Sequence, residues 1–145
     1  AWAIHGPWLR DRPGDYGQLA RRRLMAGAFF GAGDYVQAQR RRLEMIAAVE
    51  EALRDVDVLL CASSMDPACR IDIPADIERT YPRQARTPFN VTGHPALAMM
   101  AGVSVSGLPL SVQFVGRNFA EATLFQVARG WERAAGTDKK HPAIV

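Results

Sequence analysis

Apolar positions recur along this chain with two different periods. Leu43, Ile46, Val49, Leu53 and Val56 follow one another at steps of three or four, which is one stripe on a helix and predicts an element running on from Tyr35. Arg40, Arg41, Arg42, Glu50, Glu51 and Arg54 mostly fall off that stripe, and Glu50 with Arg54 makes an i,i+4 pair. Upstream, the good helix formers of residues 15–30 (DYGQLARRRLMAGAFF) predict a first helix between the breakers Pro13-Gly14 and Gly31 to Gly33. Asp34 then puts a negative charge where the first-turn amides of the long helix favour one.

The second half switches period. Asp57 to Ala62 is a short apolar run that predicts a strand buried on both sides. Ser63 to Arg86 holds Pro67, Pro74 and Pro82 without periodicity and predicts loop with short turns. Pro95 to Ala101 predicts a central strand. After a turn at Ser104 to Gly107, Leu110, Val112 and Phe114 alternate with Ser111 and Gln113, as in a strand with unlike faces, and the two strands read as a hairpin. Asn118 with Glu121 resembles a capping box ahead of a last helix, on which Leu124, Val127, Ala128 and Trp131 share a face until Gly136.

This order predicts an α/β fold, a layered α/β/α arrangement with a mixed sheet. A strand as apolar as Ala96 to Ala101 needs cover on both faces and neighbours on both edges, and three helices barely provide the cover. The chain also opens at Ala1 without a Met. Residues 1–145 are therefore expected to be a segment of a larger single domain.

Composition narrows the function classes. The 145 residues are 48% apolar and 23% charged, values of a globular chain with one core. No apolar run approaches the ~20 residues that span a bilayer, and residues 1–10 lack the pattern of a secretory signal. No membrane partner is expected. Net charge is +3, and every basic residue except Lys139 and Lys140 is an arginine. The triplets at residues 21–23 and 40–42 could neutralise phosphates. Three consecutive helical residues, however, spread over most of a turn, so a solvated surface is the reading and nucleic acid is not expected as a partner. Cys61 and Cys69 form neither a disulfide framework nor a zinc spacing, which fits a reducing cytoplasm.

No catalytic set is expected within the chain. Ser63-Ser64 follows a strand, where hydrolases often present a nucleophile, but Ala62 and Met65 flank it instead of glycines. A Ser–Lys mechanism needs a lysine held neutral, and Lys139 and Lys140 lie together beyond Gly136. His5, His94 and His141 share no metal-ligand spacing. Cys61 sits in a buried strand, where cysteine behaves as a small hydrophobe. Neither metal nor cofactor is implied.

Residues 86–135 (RTPFNVTGHPALAMMAGVSVSGLPLSVQFVGRNFAEATLFQVARGWERAA) carry, in order, an N-x-x-G-x-P segment, an apolar strand, a G-L-P hairpin, Q-x-V-G-R and an E-A-T-L helix. This succession closely resembles the C-terminal part of the amidase signature family. The earlier helices and the D-V-L-L strand are similar to that family too, so the resemblance spans nearly the whole chain. It implies cleavage of amide carbon–nitrogen bonds by a Ser–Ser–Lys triad. A neutral lysine and the middle serine shuttle protons, the other serine attacks, and glycine-rich backbone amides stabilise the oxyanion.

No Gly-Ser-Ser segment and no lysine before position 139 occur here. The resemblance therefore places the triad in an N-terminal portion of the same protein and leaves this segment inactive alone. It also makes Phe89, Asn90, Thr92, Gly93 and His94 candidates for one wall of the pocket for a small amide substrate, His94 shaping preference. Within the loop itself, Pro88 and Pro95 fix the backbone, Gly93 permits positive φ or close approach, and Asn90 and Thr92 can bond its main chain. Two alternatives stay open. One is the glutaminase component of a tRNA-dependent amidotransferase, disfavoured because residues 82–86 (PRQAR) lack the carboxylate expected there. The other is a non-catalytic interaction module that covers its open surface by self-association, as a homo-oligomer.

Overall fold

A computed structural model describes residues 1–136 in two compact units, Ala1–Arg41 and the remainder from Arg42. Lys139, Lys140 and His141 lie outside the described residues.

The first unit is helical: α1 (Trp2–Asp11), a 3-10 turn at Pro13–Asp15, α2 (Gln18–Met25), a second 3-10 turn at Ala26–Phe29 and the start of α3 (Ala32–Ala52). The helix expected over residues 15–30 is thus split. Where it tightens, Gly27 lies against Trp2, and a Cβ on it would fall 2.5 Å from the Trp2 Cβ. Gly6 and Pro7 hide α1 from propensity, yet the helix forms and buries Leu9. His5 Nδ1 lies 3.1 Å from the Tyr16 hydroxyl. Asp34 Oδ2 accepts the Gly31 amide at 2.9 Å, the negative charge at the α3 start that the sequence predicts.

The second unit holds the rest of α3, then β1 (Leu59–Ala62), α4 (Pro74–Thr80), α5 (Thr87–Thr92), β2 (Ala96–Val103), β3 (Pro109–Val115) and α6 (Glu121–Ala135). The α/β class holds. The three strands pair antiparallel in the order β1-β3-β2, not as the mixed set expected. The β2–β3 hairpin supplies one pair, and β1 takes the other edge of β3. β1 and β2 therefore run parallel to each other with β3 between them. The most apolar strand, β2, is an edge strand rather than the centre. A bulge at Ala101, between the pairs Met100↔Ser111 and Gly102↔Leu110, bends it.

α6 packs on β2 and β3. The Phe114 and Trp131 rings meet edge to face at 5.7 Å, and Trp131 Nε1 donates to the Met100 carbonyl at 3.0 Å. The helix starts at Glu121, with Ala120 as N-cap and no side-chain cap bond. The expected Asn118 capping box is absent because Phe119 takes a left-handed φ of 62° and displaces the helix start.

Two other expectations change. The long loop contains α4, which begins at Pro74 where proline costs no helical bond. Arg54 pairs with Glu51 rather than Glu50, since α3 ends at Ala52. The apolar stripe of α3 is real but mostly open. Leu53, just past its end, is buried, while Leu43 stands 64% exposed and no residue within α3 is fully buried. Among the described residues no helix is long and apolar enough to cross a membrane.

Candidate functional site

The five candidate pocket residues lie on α5 and the turn into β2. α5 has Pro88 in its first turn and ends on Gly93, whose φ of 84° is the left-handed cap that glycine accepts without strain. Three hydrogen bonds fix the turn that follows. Gly93 N–H donates to Phe89 O at 2.8 Å, Gly116 N–H donates to Pro95 O at 3.0 Å, and Arg42 Nε donates to Val91 O at 2.6 Å.

Thr92 and His94 are both buried and meet at 3.0 Å, Thr92 Oγ1 to His94 Nδ1. His94 Nε2 is buried without a hydrogen-bond partner. Phe89 is half-buried and Asn90 is exposed. The main-chain bonding expected of the Asn90 and Thr92 side chains is supplied instead by Arg42 and by the backbone itself.

A cleft of about 340 Å³ lies elsewhere in the same unit. Three stretches separated in sequence form it: the loop after β1 (Ser64, Cys69), the segment from the end of α4 towards α5 (Tyr81, Gln84, Arg86), and the start of β3 (Ser111). Met65 N–H donates to Arg83 O at 3.1 Å and holds the first two together. The Asp66 carboxylate also lines it, with Arg83 Nε at 3.3 Å and Arg79 Nη1 at 3.8 Å. None of Phe89, Asn90, Thr92, Gly93 or His94 lines this cleft. Of the serine pair, Ser63 is buried, with its amide 3.4 Å from Ser111 O, and Ser64 is half-buried on the cleft wall.

The Q-x-V-G-R motif acts as a clamp. Gln113, buried at 2% exposure, donates from Nε2 to Ala62 O at 2.9 Å and so holds the exit of β1. Arg117 Nη2 reaches the carbonyls of Leu53, Arg54 and Val56 at 2.8, 3.1 and 3.0 Å, placing a positive charge at the C-terminal end of α3, where the helix dipole favours it. Burial pushes the Cys61 thiol above its ordinary value of 9.0, offset in part by the Gln113 side chain. Among the described residues no group of three His, Cys, Asp or Glu side chains could hold a metal ion.

Comparison with known proteins gives these motifs their context. The sequence model of the Amidase family matches residues 9–125. AmiD of Mycobacterium tuberculosis, described as a putative amidase, is 30% identical over 97% of this chain and 30% of its own length. A glutamyl-tRNA(Gln) amidotransferase component from Granulibacter bethesdensis is 36% identical over 87% of this chain and 27% of its own length. A crystal structure of an amidase superposes with a TM-score of 0.76 at 26% identity, covering 91% of this chain and 32% of that one. The chain thus spans about 30% of the length of the relatives it matches.

Proposed function

Because the chain belongs to the amidase family, we propose that it is the C-terminal segment of an amide-bond hydrolase whose Ser–Ser–Lys triad lies in a portion of the polypeptide outside these 145 residues. The single observation that carries this reading is the mismatch between pattern and cover. β2 reads as a strand buried on both faces, yet Ala96, Ala98 and Val103 are exposed at a sheet edge, and the α3 stripe is open at Leu43. Relatives about three times as long have the chain to cover both.

In that reading the segment contributes scaffold and part of a binding wall. Gln113 ties β1 to β3 and Arg117 ties the end of α3 to the chain just past β3, and the α5–β2 turn is held rigid by three hydrogen bonds. Cys61 and Cys69 are both free thiols, which supports a reducing cytoplasmic setting. The remaining polypeptide is then the partner of the open face, and a small amide is the substrate.

The relatives named as amidotransferase components support a second reading, a glutaminase. Residues 82–86 provide no carboxylate, so a general amidase is preferred. The test is ammonia release by the complete polypeptide from aryl and aliphatic amides, with glutamine alongside. The amidase reading expects turnover of simple amides in the presence of a chelator and none by the 145-residue segment alone. Turnover by the isolated segment would overturn it.

A further inference from the structure

The 340 Å³ cleft between the β1 exit loop, the end of α4 and the start of β3 is of a size that holds a small organic molecule. Its wall mixes apolar residues such as Pro67, Pro109 and Leu110 with polar ones, Ser64, Ser111, Gln84 and the exposed Arg86. The charges around it are unequal in a specific way. Asp66 is paired with Arg83 and shares Arg79 with Asp76, which lies 3.7 Å from it. Arg70 is taken by Asp72. Arg86 is the lining cation that no carboxylate engages among the described residues. A planar guanidinium with free donors, flanked by hydroxyl and amide groups, matches a carboxylate in charge and geometry.

We infer that this cleft binds the carboxylate of an acid-bearing amide substrate, with Arg86 as its specificity-determining residue. The inference rests on the amidase reading for the word substrate, while the carboxylate site stands on the cleft itself. Asp66 Oδ2 is buried and accepts no hydrogen bond, and its charge is offset by ion pairing alone, with Arg83 at 3.3 Å and with Arg79 at 3.8 Å, the latter shared with Asp76. Cys69 on the same wall gives a readout of occupancy independent of turnover. Iodoacetamide alkylates it by attack of the thiolate sulfur on the CH2 carbon, with iodide leaving and the thiol proton passing to solvent.

The test uses the complete polypeptide with succinamate and its neutral counterpart succinamide. Turnover is read as kcat/KM, and Cys69 alkylation by peptide mass spectrometry. A charge-assisted contact predicts a preference for succinamate of about tenfold or more, carried in KM. Arg86→Met brings the ratio near one, and Arg86→Lys keeps part of it. Succinamate slows Cys69 alkylation in the wild-type protein and fails to do so in Arg86→Met. Equal kcat/KM for the two amides with no protection of Cys69 overturns the inference and leaves the amidase reading untouched. Protection by succinate without preference for succinamate overturns the substrate assignment in favour of a free-acid site. Arg86-dependent protection by succinamate with no amide hydrolysed supports the carboxylate cleft and removes the amidase reading instead.

Discussion

Arg117 Nη2 lies 2.8 Å from the carbonyl oxygen of Leu53, 64 residues earlier in the chain. With Arg54 O and Val56 O beside it, one guanidinium nitrogen is shared among three carbonyls of the segment that follows α3. Because Arg117 is exposed, water replaces part of what is lost when it is removed. Arg117→Met is expected to destabilise the protein by about 1–2 kcal/mol, and Arg117→Lys by less. Urea denaturation measures both, and an unchanged midpoint for Arg117→Met contradicts the clamp.

Gln113 performs the matching task at the other end of β1. Its Nε2 is the donor to Ala62 O, and the side chain is buried. Gln113→Leu strands that carbonyl and is expected to cost about 1–3 kcal/mol. Gln113→Glu is expected to be worse at neutral pH, since a carboxylate would face a carbonyl, and to recover as acid protonates it. A stability profile for Gln113→Glu that does not rise between pH 7 and 5 contradicts this geometry.

Thr92 and His94 form a buried pair. Thr92→Val and His94→Leu each leave one buried polar group without its partner, whereas the double variant removes both. A double-mutant cycle is expected to return a coupling of about 1 kcal/mol, the double change costing less than the sum. Independent, additive losses contradict the pairing.

Gly27→Ala is expected to cost about 1–3 kcal/mol by overpacking against Trp2. Gly14→Ala, with nothing within 4 Å of its added Cβ, stays within about 0.5 kcal/mol. Thermal scans of the two variants separate a close approach from a general loss of glycine.

Cys61 has a raised thiol pKa, caused first by burial. The fold favours the neutral thiol, so this contribution is fully present below the ordinary value of 9.0 and is lost as pH rises through the higher folded value. Iodoacetamide alkylation of Cys61 should therefore show a half-point above pH 9.0. A half-point below that value contradicts the burial.

Period and breakers make most elements legible in the sequence. The long helix, the hairpin and the last helix follow from spacing alone, because one buried face per element writes itself into every third or second position. What stays hidden depends on partners far apart. α1 carries Gly6 and Pro7, and its cause is packing that propensity does not register. The Asn118 cap is defeated by a single left-handed residue, Phe119.

The candidate site shows the same division. Gly93 signals its backbone conformation, but the Thr92–His94 pair shows only in three dimensions. Gln113 and Arg117 are visible as a motif without their targets, 51 and 64 residues away. Arg86 and its cleft leave no sequence signal, since three separate stretches build it.

A fluorophosphonate that labels reactive serines, applied to the complete polypeptide and located by peptide mapping, tests the amidase account most directly. The label is expected on a serine outside these 145 residues, with Ser63 and Ser64 unmodified. A labelled Ser63 or Ser64 would contradict it.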